Sequence, residues 1–356
     1  MTLFTGITPL YGSCLLYAGP APLVWGWLVV SFFTCFVGLA MAEICSSFPT
    51  TGSLYFWANY LAGPSCGPFA SWCCDWLETI GLIAGIGTQA YGGSQTLQSI
   101  ILLCTGTNKN GGYFAPKWLI LCMYVALTVI WAVLNTFTLE VIAFIDVISI
   151  WWQVIGGLVI MIALPLVSLT RQPASYVFTT FEMAPESTGI SSKAYAAILS
   201  LLVSQYSLFG YDAAAYLTEE TKDADKNGLC IILGLPILKL NVIFTAITSI
   251  CTIGWVGGYA VPIFGRLVMS ERDFNAGPFY LGRGRRPICL VAFLWICYTC
   301  SVFLLPTYYP VTWQTLNYAP VALGVGLGLI MLWWVVDARK WFKGPVGNIE
   351  APNGKV

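Results

Sequence analysis

The stretch Leu208 to Thr221, LFGYDAAAYLTEET, leaves an apolar run, passes Gly210, Tyr211 and Asp212, and ends in the paired Glu219 and Glu220. Ser204 and Gln205 interrupt the same run just upstream. A helix broken here at membrane depth would expose main-chain carbonyl and N–H groups able to hold a polar substrate or an ion. On the other reading, the span ends near Phe209 and Asp212 caps the next helix in water. The residues alone leave both open. The segment TEETKDADKNG that follows alternates in charge, as a solvated loop does.

Three further groups of polar residues sit in apolar surroundings. Asp75 and Glu78 lie three residues apart in WCCDWLETIGL, a spacing that puts them on one helical face. Carboxylates near membrane depth face a bundle interior or water, so the pair fits a cation site, a gate or a solvated interface. Glu43 closes an apolar run in AMAEICSSFPTTGSLYFW, where Pro49 and Gly52 break the helix and Tyr55 and Trp57 suit an interfacial belt. Asp146 and Gln153 share a face in FIDVISIWWQVIGG, where interior hydrogen bonding is the default expectation.

Several chemistries are excluded. There is no histidine, which removes Ser-His-Asp and Cys-His catalysis and the HExxH metal site. The 13 cysteines are scattered, mostly inside apolar runs; Cys297 and Cys300 form a lone CxxC without the second ligand pair a zinc site needs. Buried thiols acting as small hydrophobes fit better. An enzyme is therefore not expected, nor a cofactor or a metal. The chain is net neutral and has no basic run, so nucleic acid is not an expected partner.

The elements that must position these groups are membrane helices. Of 356 residues, 58% are hydrophobic and 9% charged, against about 25% charged in soluble domains; mean hydropathy is +0.77. A span needs about 20 apolar residues, and candidates fall at 21–42, 71–104, 118–138, 141–168, 194–217, 229–265, 288–305 and 317–337. The piece at 3–18 is too short and too glycine-broken for a complete span. The segment 71–104 is long enough to tilt strongly. With Pro236, Lys239 and Asn241 inside it, 229–265 reads as a partial helix followed by a complete one. Long uninterrupted runs predict an all-α polytopic bundle and exclude a β-barrel.

Orientation follows from basic residues. Arg266, Arg272, Arg283, Arg285 and Arg286 precede the last hairpin of spans, and Arg339, Lys340 and Lys343 follow it. Both flanks lie on one face, which the positive-inside rule makes cytoplasmic. No Lys or Arg precedes Lys109, so a basic secretory leader is not expected and the spans themselves direct membrane insertion. The charge count leaves the orientation of the N-terminal half open.

Taken in order, GLAMAEICSSFPTTGSLYFW, SQYSLFGYDAAAYLTEETKDADKNG and LNYAPVALGVGLG with the later ARKWFKGPVGNI resemble plant bidirectional amino-acid transporters. They are likewise similar to the GABA permeases of the amino acid–polyamine–organocation superfamily. Each motif alone is weak; their joint order covers essentially the whole chain. The resemblance implies one transmembrane domain over 1–356, built on two inverted five-helix repeats with two further helices. It also implies a secondary transporter of amino acids or GABA with a lipid-embedded site, alternating access and a possible coupling proton. The plasma membrane is the expected location. FGYDA matches the unwound sixth helix, which makes Ser204, Phe209, Gly210, Tyr211 and Asp212 the expected substrate-binding residues. Glu43, Asp75, Glu78, Glu219 and Glu220 are expected gate or structural groups.

The match also implies a shortfall. Residues 1–228 resemble the second half of helix one through helix six, and 229–343 resemble the end of helix nine through helix twelve. Helices seven and eight are expected to be absent, leaving an incomplete bundle of about eight complete or partial spans plus an N-terminal half-helix. Because alternating access moves one repeat against the other, transport is expected to be impaired, with interior faces left open to lipid. The alternative is a non-transporting partner or regulator of a full-length transporter.

Overall fold

The computed structural model describes residues 3–48, 52–106, 111–168, 170–210, 243–269, 274, 276 and 279–345. Its described elements are helical. In order they are α1 (Leu3–Ala18), α2 (Pro20–Ser47), α3 (Ser53–Thr105), α4 (Lys117–Leu134), α5 (Leu139–Val167), α6 (Ala174–Thr179), α7 (Pro185–Thr188), α8 (Lys193–Ser200), α9 (Leu202–Ser207), α10 (Ile243–Val268), α11 (Arg285–Phe303) and α12 (Ala319–Trp333). Among the described residues six helices are long and apolar enough to cross a membrane: α2, α4, α5, α10, α11 and α12 with its short extension to Trp341. This is an all-α polytopic membrane protein.

Two sequence expectations need correction, and a third span is described only in part. The segment 3–18 is one continuous helix of 16 residues: a helix tolerates internal glycines where packing supports it. It is still only about 24 Å long, short of a 30 Å hydrocarbon core. The span expected to begin at 71 begins at Ser53 and bends at Gly63, whose φ of 75° and ψ of 174° are non-helical. Pro64 and Pro68 follow; prolines seated in the first turns of the resumed helix stop the one before from continuing through. From Pro64 to Thr105 the helix runs roughly 60 Å, about twice the hydrocarbon thickness. The span expected at 194–217 is described only to Gly210 and consists of two short helices with Leu201 between them.

Local signals explain several boundaries. The Gly19 amide donates to the Leu15 carbonyl at 2.9 Å, closing α1, and Pro20 opens α2, where a missing N–H costs nothing. The Ser192 hydroxyl accepts from the Tyr195 amide and caps α8. Helix α10 is the centre of the bundle, packed along α3 and flanked by α2 and α11. The α3–α10 seam needs glycine on both sides: a Cβ on Gly254 would lie 2.5 Å from the Cα of Gly81. Such backbone approach is how membrane helices gain dispersion contact without a hydrophobic drive from water.

Two cores result. One joins α1, α8, α9 and α4 to the later part of α3 and the start of α10, around Tyr17, Leu199, Val203 and Ile247. The other joins α2 and α11 to the start of α3 and the end of α10, around Ile44, Trp57, Tyr259 and Ile296. Phe209 and Trp255 pack against both cores. A third, aromatic cluster gathers Trp72, Trp76, Trp334 and Phe342 beside the basic tail of the last span, as aromatic residues do at a membrane interface.

Candidate functional site

Helix α9 stops at Ser207, and Gly210 turns the chain with a φ of +86°, a left-handed value that glycine adopts without strain. The stop falls where the two cores meet. Phe209 lies edge-on to Tyr206 at 5.3 Å and against Trp255 at 5.7 Å between ring centroids. The Gly210 amide donates to the Tyr259 hydroxyl at 3.3 Å, and the Gln89 side-chain amide donates to the Tyr206 hydroxyl at 3.5 Å. The end of α9 thus lies against an aromatic wall from α10.

Of the five expected substrate-binding residues, Phe209 and Gly210 stand at this break. Ser204 is buried one turn earlier, and its hydroxyl donates to the Leu201 carbonyl at 2.9 Å, so it is engaged by its own helix. Tyr211 and Asp212, like Glu219 and Glu220, lie outside the described residues. Sequence reading did not single out Trp255 and Tyr259. Their signal was an i, i+4 aromatic pair in GWVGGYAV, which puts both rings on one face of α10.

A second constellation holds charge. The Glu43 carboxylate on α2 accepts from the Arg266 guanidinium on α10 at 3.0 Å, and neither side chain has any exposed surface. The Phe274 ring lies 3.3 Å from the guanidinium carbon, a cation–π contact. Arg285 at the start of α11 is also fully buried and donates to the Met269 carbonyl at 3.3 Å. The ion pair joins residues 223 positions apart in sequence and ties α2 to α10, while Arg285 ties the start of α11 to the residue just after α10. The Glu43 carboxylate, expected as a gate or structural group, is buried because a guanidinium meets it. Nearby, the Trp57 ring N–H donates to the Phe48 carbonyl at 2.9 Å, tying the end of α2 to the start of α3.

The remaining acidic groups diverge. Glu78 is buried on the α3 face toward α10, with its Cγ 4.0 Å from a Cβ built on Gly258, whereas Asp75 is exposed. A three-residue step turns a helix by about 300°, so the two carboxylates point about 60° apart and one packed seam takes only the second. Asp146 is exposed on α5 and Gln153 is half-buried; the expected interior hydrogen bonding of this pair is corrected, because among the described residues α5 has almost no neighbours. Cys297 is exposed and Cys300 half-buried, both as free thiols. Among the described residues no cluster of three or more metal-ligating side chains occurs.

An all-helical bundle with several helices long and apolar enough to cross a bilayer is an integral membrane protein. The chain belongs to the amino acid permease family: the model described as "Amino acid permease" matches residues 1–238. It is 32% identical to Amino-acid permease BAT1 of Arabidopsis thaliana over 470 residues, covering 98% of this chain and 91% of that protein. The homolog in Oryza sativa subsp. japonica is also 32% identical, with 98% and 90% covered. An uncharacterized amino-acid permease of Schizosaccharomyces pombe is 21% identical over 470 residues, with 98% and 84% covered. Because these alignments run over 470 positions and the chain has 356 residues, more than a hundred aligned positions have no counterpart here. The chain is truncated relative to its relatives.

Proposed function

We propose that the chain carries the architecture of a secondary amino-acid transporter whose substrate site opens at the broken end of α9. The observation that carries this reading is the meeting of Phe209, Gly210, Trp255 and Tyr259 at the boundary of the two cores. Substrate would meet main-chain groups at the break, with Phe209 and Tyr211 as aromatic walls and Asp212 beside it. Amino acids are the substrate class, with GABA among the candidates, a proton as the coupling ion and the plasma membrane as the site of action. The buried Glu43–Arg266 pair serves as a structural tie between α2 and α10, with Glu78 in the same supporting role along α3.

A second reading, a non-transporting partner or regulator of a longer permease, is favoured by α5, only 6% of whose span is buried. It is also favoured by the aligned positions that this chain lacks. On this view helices seven and eight are those lost, and their absence leaves α5 uncovered and cycling impaired. Proteoliposome uptake of radiolabelled neutral, acidic and basic amino acids and of GABA decides between the two. The control is a chimera carrying the relative's additional segment. Saturable uptake by the chimera with little by the short chain is expected. Uptake equal in the two would overturn the impairment. Uptake in neither, with co-purification of the short chain and a full-length relative, would establish the second reading.

A further inference from the structure

A small cavity lies beside α9. It is lined by Thr34 and Val37 of α2, Gln205 and Leu208 beside the break, Val256 of α10, and Trp295 and Thr299 of α11. Gln205 is 4% exposed and Thr299 is 3% exposed. Both side-chain atoms of the Gln205 amide and the Thr299 hydroxyl lack a hydrogen-bond partner among the described residues. Two such side chains turned to one cavity call for a ligand, since a buried donor or acceptor left unmet costs its full desolvation, and in a bilayer no bulk water relieves it.

The chemistry of the lining selects that ligand. The Gln205 Nε2 donates and needs an acceptor; its Oε1 accepts and needs a donor; the Thr299 hydroxyl does either. The cavity has a volume of about 20 Å³, room for one water and for no amino acid. A cation would leave the Nε2 hydrogens unmet, and no carboxylate lines the cavity.

We propose that this cavity binds a single water molecule that bridges Gln205 on α9 to Thr299 on α11 and so positions the broken end of α9. The water accepts from the Gln205 Nε2 and donates to the Thr299 oxygen, with Thr34 as a third polar neighbour; it meets two of the three unpartnered atoms and leaves the Gln205 Oε1 as the third. Gln205 stands five residues before Gly210, so the bridge fixes the last turns of α9 against the α2–α11 layer while Tyr259 holds the Gly210 amide. Such a joint is easily remade after α9 shifts, because water re-forms its hydrogen bonds in several geometries. The water site itself is independent of the transport reading; only its use in a transport cycle rests on that reading.

X-ray hydroxyl-radical footprinting of the whole chain in lipid nanodiscs tests the site without measuring transport. A water activated in place labels the side chains around it, so Leu208 and Trp295 are expected to be labelled. After mixing into ¹⁸O-water, the heavy isotope should enter those labels later than the label on Trp313, which is 82% exposed. Thr299→Val combined with Gln205→Leu should cut labelling at Leu208 and Trp295 by about fivefold and spare Trp313. If that double variant fails to fold, Thr299→Val alone should lower the label while Thr299→Ser keeps it. No labelling in the unmodified protein means a dry cavity and overturns the proposal; isotope entry as fast as at Trp313 means open solvent and overturns it too. For the positioning role, Gln205→Leu should speed hydrogen exchange at the Gly210 amide by about fivefold, with Thr299→Ser leaving it unchanged. Exchange at Gly210 indifferent to Gln205→Leu would overturn that role.

Discussion

Helices α5 and α10 both have the length and apolarity to cross a bilayer, yet 67% of the α10 span is buried in the molecule and 6% of the α5 span. The more buried helix is the less apolar, with a mean hydropathy of 1.5 against 2.2. Inside lipid, apolar surface alone gives two helices no reason to meet; close backbone approach and internally satisfied polar groups do. Helix α10 has both. Gly254 sits against Gly81, and the hydroxyls of Thr248, Ser249 and Thr252 return to carbonyls of their own helix at 2.8 to 3.0 Å. On α5 a Cβ built on Gly156 would meet nothing within 4 Å. Its polar residues, Asp146 and Gln153, are of the kind that membrane helices usually turn toward a bundle interior.

If α10 is the member that holds the bundle together, changes there should cost most. Arg266→Met should destabilise the protein by about 3–5 kcal/mol, because it leaves the Glu43 carboxylate buried without its partner. Thermal unfolding in detergent checks this, and the double variant Glu43→Leu with Arg266→Met should recover much of the loss. Recovery would show that the damage lies in the orphaned charge rather than in lost packing. Next comes Gly254→Leu, whose side chain would meet Gly81 backbone that cannot rotate away. A loss of about 3 kcal/mol is expected, read as a lower melting temperature and a lower monodisperse yield. Tyr259→Phe should be milder, about 1 kcal/mol, for the hydrogen bond taken from the Gly210 amide. Its signature should be local, with faster amide exchange at Gly210 and little change in α11.

Much of this contrast was legible in the sequence, but not all. Apolar length locates α2, α4, α5, α11 and α12 with boundaries within a few residues, while the start expected at 229 lies outside the described residues; the motif around Phe209 and Gly210 marks where α9 stops. The Glu43–Arg266 pair was hidden because its partners are separated by 223 residues and each looks like an ordinary helix-end charge. Counting Arg266 and Arg285 as flanking surface charges missed that both are fully buried. Asp75 and Glu78 looked equivalent because a three-residue spacing is compatible with one face. Which of them turns inward depends on where Gly258 lies across the α3–α10 seam, and a linear pattern does not carry that. The cavity beside Gln205 was invisible for the same reason, since its lining comes from four helices.

The smallest expected effect is on α5, and it is the sharpest test of the contrast. Asp146→Leu replaces an exposed acid on a helix with almost no neighbours, so no packing or hydrogen bond within the described molecule is lost. The melting temperature of the purified chain should correspond to a change within about 0.5 kcal/mol, as for substitutions away from any contact. In the chimera carrying the relative's additional segment, the same substitution should cost more, since helices laid over α5 would then surround the acid and give it partners. A large loss in the short chain would mean that α5 is already covered, and the difference between the two helices would not be the one drawn here. Equal, small losses in both proteins would place the relative's additional segment elsewhere in the bundle and leave α5 facing lipid even in the longer form.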